Sequence, residues 1–75
     1  MIDVLIRDMP TMEHGPLAMA IAQGFASEFP IDQRGHGIGR SVGYSCSLGE
    51  DPCYALAYWT MAGRVVVRFD GVRDD

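Results

Sequence analysis

Lysine and asparagine are both missing from this chain, and all six of its basic residues are arginine. Codons for the two missing residues are A-rich, so the gene is expected to come from a GC-rich bacterium or from a phage or mobile element of one. Basic charge is also in the minority, because ten acidic residues against six basic ones leave a formal charge of −4. A non-specific grip on a nucleic-acid backbone needs the opposite balance, so direct nucleic-acid binding is not expected. Cysteine is scarce: Cys46 and Cys53 are too few for a disulfide scaffold and lack the paired spacing of a zinc ribbon. No apolar run approaches the roughly 20 residues of a bilayer span, so no membrane partner is expected. Met1-Ile2-Asp3-Val4 shows neither the basic nor the long apolar segment of a secretory leader. The expected location is therefore the cytoplasm, that of the host cell if the gene is phage-borne.

What is present is one domain's worth of ordinary globular material: 75 residues, 48% hydrophobic and 21% charged. A chain this short has a thin stability margin unless a partner subunit helps, so a homodimer is expected. Ile2, Val4 and Ile6 alternate with Asp3, Leu5 and Arg7, the pattern of a first strand. Pro16 suits a first helical position, and Leu17, Ile21 and Phe25 recur at helical spacing beside Ala18 and Ala22, so a helix is predicted over 16–28, stopped by Pro30. Residues 30–39 hold Gly35, Gly37 and Gly39 at alternate positions and are expected to form a mobile loop. Three strands follow, over 40–48, 54–61 and 64–69, and residues 70–75 are read as a frayed tail. The expected fold is α+β, in the order β-α-β-β-β, with one helix on one face of a four-stranded, mainly antiparallel sheet, as a single domain over residues 1–75.

Register decides what each face carries. A two-residue turn at Ala62-Gly63 would pair Tyr58 with Val67, placing Tyr54, Leu56, Tyr58, Val65, Val67 and Phe69 under the helix. An odd-numbered turn over 49–53 would add Val42, Tyr44 and Cys46 to that face, with the even count as the rival register. In the odd register Cys46 and Cys53 point to opposite faces and stay unbridged. The other face would then hold Ala57, Trp59, Met61, Arg64 and Arg68, residue types enriched at protein interfaces, and these five form the candidate interface. The plainer alternative is that the loop or the tail partly covers Trp59 and Met61.

Catalytic and metal chemistry find little support in the spacing. Gly35-His36-Gly37-Ile38-Gly39 does not open a helix after a strand, as a phosphate cradle must. His14, His36, Cys46 and Cys53 match no short-loop zinc arrangement, and Cys46 is expected to be an inert core thiol. Glu50 with Asp51, and Asp74 with Asp75, sit in a turn and a tail rather than on a rigid element, so no acid-base pair is positioned. No cofactor, metal or catalytic residue is assigned.

Small size, acidity, the GC-rich signature and the face beginning at Trp59, Met61, Arg64 and Arg68 together resemble the small inhibitor proteins of phages and mobile elements, among them the anti-CRISPR class. The resemblance implies a non-enzymatic protein that blocks a bacterial host complex, such as one that binds nucleic acid, by occupying its surface. The alternative is a small dimeric enzyme or ligand-binding subunit whose site is built at the dimer seam.

Overall fold

The computed structural model describes residues 2–73. Strand β1 (Asp3–Arg7) is followed by a single 3-10 turn (Met12–His14) and helix α1 (Gly15–Glu28). Strands β2 (Ser41–Leu48), β3 (Asp51–Trp59) and β4 (Arg64–Arg68) complete an α+β fold. The four strands form one mixed sheet in the order β1-β4-β3-β2, parallel only between β1 and β4. Asp74 and Asp75, part of the expected tail, lie outside the described residues.

Helix α1 forms where the apolar stripe predicts it, with Pro16 in its first turn, where a missing N–H costs nothing. Its last turn closes when the Phe29 N–H donates to the Phe25 carbonyl at 2.8 Å, and Pro30 follows. Ala18, Ala22 and Phe25 are fully buried against the sheet, with Ile21 nearly so. The alanines let the helix backbone approach closely while Phe25 supplies volume, its ring meeting those of Phe29 and Trp59. Burying a side chain of that size is worth about 3 kcal/mol.

Both turns differ from the sequence-based expectation, and the differences flip one strand. The Thr60 N–H donates to the Arg64 carbonyl at 2.9 Å and the Gly63 N–H to the Thr60 carbonyl at 3.0 Å, so the β3–β4 loop is Met61-Ala62-Gly63, one residue longer than expected. Gly63 sits at φ +78°, the left-handed position that ends a three-residue hairpin loop. At the other hairpin Leu48 pairs with Asp51 across Gly49-Glu50, the even count, with Gly49 at φ +62°. Consequently Trp59 faces Val65 and Ala57 faces Val67. The helix-facing core is Ala55, Ala57, Trp59, Val65, Val67 and Phe69, not Tyr54, Leu56 and Tyr58.

The same register overturns the cysteine expectation. Cys46 lies directly opposite Cys53 on the helix side, and the two are bridged. Facing positions of an antiparallel pair fall within disulfide reach, here with Cα atoms 5.1 Å apart.

Candidate protein interface

The five residues expected to share a bare face are divided by the structure. Ala57 is fully buried under the helix and Trp59 almost so, its indole Nε1–H donating to the Phe29 carbonyl at 2.7 Å. Both are removed from the candidate surface because the longer Met61–Gly63 turn rotates β3 by one residue. Met61 stands at the hairpin tip, 88% exposed. Arg64 and Arg68 do lie on the face away from the helix, where each meets acid: Arg64 Nε is 2.8 Å from Asp3, and Arg68 Nε is 2.8 Å from Asp8 and 2.9 Å from Asp70. Asp8 takes φ +55° at the end of β1, in position to meet Arg68.

That outer face is not bare. The stretch following β4 folds back over it: the Arg73 guanidinium lies 4.9 Å from the Tyr58 ring centroid and donates to the Gly39 carbonyl at 2.7 Å. Tyr58 is fully buried as a result. Tyr54 lies flat between Gly43 and Gly71, where a β-carbon on either glycine would collide with its ring or hydroxyl. Residues 70–73 of the expected frayed tail therefore pack on the sheet.

The glycine loop is organised by one carboxylate. Asp32 accepts from the backbone N–H groups of Arg34 and His36, each at 2.9 Å, and meets the His36 ring Nδ1 at 2.9 Å. Asp32, Gln33, Arg34 and His36 rim a shallow recess open to solvent. His14, away from this loop, is buried edge-on to Phe69, with Nδ1 2.8 Å from the Thr11 hydroxyl. Among the described residues no three His, Cys, Asp or Glu side chains gather as a metal site.

The unassigned feature that remains is the outer edge of β2. Backbone parity defines it. The Thr60 N–H donates to the Arg64 carbonyl, so even-numbered residues of β3 face β4 and odd-numbered ones face β2. Their partners in β2 are Val42, Tyr44, Cys46 and Leu48. The N–H and C=O groups of Ser41, Gly43, Ser45 and Ser47 therefore point away from the sheet along its edge. Ladder pairing runs unbroken from Ser41 to Leu48, so no bulge twists this edge away. Helix α1 packs chiefly on β4, β1 and β3, and Val42, Tyr44, Cys46 and Leu48 are only half-buried. Burial, and then the negative charge of Glu28, push the Tyr44 hydroxyl above its ordinary pKa of 10.0.

The residues of this edge were readable as a strand but not as an interface. The signal available was the run Ser-Val-Gly-Tyr-Ser-Cys-Ser-Leu itself, which holds no charge and no proline. Among the described residues no helix is long and apolar enough to cross a membrane. No protein-family model matches the chain, and no curated protein or solved structure matches it either.

Proposed function

We propose that this chain is a protein-binding module that acts by surface contact rather than by chemistry on a small molecule, with the β2 edge as its contact element. One observation carries the reading: an eight-residue strand without charge, proline or bulge lies at the edge of the sheet. Natural sheets blunt such edges because unpaired N–H and C=O groups template pairing with another chain. An edge left open in this way suits strand addition, in which main-chain hydrogen bonds supply affinity and alternate side chains supply specificity. A strand added to a target's sheet occupies that surface, which is how an inhibitor of a bacterial host complex would work with no catalytic group. The acidic balance fits a target whose own surface is basic, such as a complex that binds nucleic acid.

The test is Ser45→Pro. Proline there removes an outward N–H while leaving the ladder to β3 intact, so the fold is retained and strand addition is blocked. Proteins captured from a GC-rich bacterial lysate by the wild type are expected to be lost with this variant and kept with Met61→Ala. Equal capture by wild type and Ser45→Pro, with matching circular dichroism, overturns the reading.

A further inference from the structure

We infer that the β2 edge takes a second copy of the same strand, antiparallel, with the two-fold axis passing between Tyr44 and its counterpart, so that two sheets join into one. This rests on the reading of β2 as the contact element: the second copy holds the edge in the free protein, and a target's sheet takes its place.

The backbone allows only certain registers. A hydrogen-bonded pair across the new seam needs an outward-pointing residue on each side, so Ser41, Gly43, Ser45 and Ser47 must face one another. One symmetric arrangement uses all four: Ser41 opposite Ser47 and Gly43 opposite Ser45, each pair occurring twice. Shifting by two residues in either direction leaves an end residue unpaired. In the full register Tyr44 faces Tyr44 across the axis as a non-hydrogen-bonded pair, where side chains approach most closely. On the same side Val42 faces Cys46. These side chains are half-buried at the margin of the core, and the second copy extends their cover.

On the opposite side of the seam β2 itself carries only serines and glycine, with the Tyr54 ring of β3 lying over Gly43. Charge selects the direction. Arg40 immediately precedes the strand, its guanidinium 4.7 Å from the Phe29 ring centroid, and Glu50 lies in the turn just beyond the strand's end, both residues being exposed. Antiparallel pairing sets Arg40 opposite Leu48 of the second copy, beside the turn that holds its Glu50, so opposite charges share each end of the seam. Parallel pairing would instead put Arg40 beside Arg40 and Glu50 beside Glu50. An uncharged strand with a cation before it and an anion after it is complementary to its own reverse.

Sedimentation equilibrium of the full chain is the experiment. The expected wild-type mass is that of two 8.2 kDa chains, and Ser45→Pro is expected to sediment as one chain with unchanged circular dichroism. Arg40→Glu alone and Glu50→Arg alone should each weaken association about tenfold by placing like charges together, and the double exchange should restore it. Tyr44→Cys should give a covalent dimer under mild oxidation, whereas Ser47→Cys should not. A wild-type mass of one chain across the accessible concentrations overturns the dimer, and leaves the edge reading standing if Ser45→Pro still abolishes capture of other proteins. A dimer that Ser45→Pro leaves intact overturns the β2 seam, and the edge reading falls with it only if Ser45→Pro also captures other proteins as the wild type does. Failure of the double charge exchange to rescue the single ones overturns the antiparallel register.

Discussion

The two edges of this sheet are built to opposite rules. Strand β1 is five residues long and carries Asp3 and Arg7 at its ends, with Asp3 held by Arg64. The Phe69 N–H bonds to the Arg7 carbonyl, so odd-numbered residues of β1 serve β4 and only Val4 and Ile6 offer backbone to the edge. Strand β2 is eight residues long, uncharged, and offers Ser41, Gly43, Ser45 and Ser47. Helix α1 packs chiefly on β4, β1 and β3, so its cover falls mainly on the first edge, and only its end at Glu28 comes near Tyr44 of the second. Short length, charge and cover are the usual defences against unwanted pairing, and all of them are concentrated on one side. Stability and contact are thus assigned to different halves of a very small sheet.

The largest losses of stability are expected on the protected side. Phe25→Ala removes the largest helix side chain over the sheet and is expected to cost about 3 to 5 kcal/mol, leaving the domain largely unfolded. A denaturation midpoint within error of wild type would mean that α1 does not seal that side. On the open side, adjacent prolines should behave differently. Tyr44→Pro removes a ladder bond to β3 and is expected to cost about 2 to 3 kcal/mol, whereas Ser45→Pro removes only an edge N–H and is expected to cost about 1 kcal/mol or less. Equal losses in urea titrations would contradict the parity assigned to β2.

Next in size is the bridge. The cysteines are seven residues apart, and replacing both by alanine should cost about 2 kcal/mol on the loop-entropy account. Amide exchange should then quicken in β2 and β3 but not in β1. Uniform loss of protection would show that the open half does not behave as a separate unit.

The smallest effect is a pH dependence. The Tyr44 pKa is raised by burial first and Glu28 second, so the fold favours the neutral phenol. That contribution is fully present below about pH 10, the unfolded value, and is lost as pH rises through the raised folded value. Tyr44→Phe should flatten the alkaline limb of the stability profile, and an unchanged limb would assign it to other groups.

Element order was legible in the sequence because each element had its own signal: alternation in Val42 through Leu48, helical spacing in Leu17 through Phe25, and Pro30 as a stop. The faces of β1, β2 and β4 were legible too. Strand β3 was not, because Tyr54 through Trp59 is apolar on both sides, and its own pattern therefore cannot say which side meets the helix. Its face was left to the two turns, and an error of one residue in each placed Trp59 outside and Tyr58 inside. The loop Met61-Ala62-Gly63 was read as two residues because Ala62-Gly63 resembles a tight turn, although Gly63 serves as the left-handed third residue. The candidate interface depended on that one face, which is why Ala57 and Trp59 left it together. The open edge escaped a reading built on faces, since an edge is a property of strand order, and strand order is set by long-range pairing between β1 and β4.

The Cys46–Cys53 bridge has a consequence for how two copies can meet. A strand with an undefended edge has two ways to join a neighbour: it can lie alongside, or it can leave its own hairpin and take the equivalent place in the other molecule. Exchange of an identical element between copies is a low-cost route to dimers of another kind, in which the strand completes the other molecule's sheet. Because the bridge ties β2 to β3 covalently, the strand can be joined but cannot be traded. Oxidised protein is then confined to reversible side-by-side pairing, while reduction opens the way to swapped assemblies.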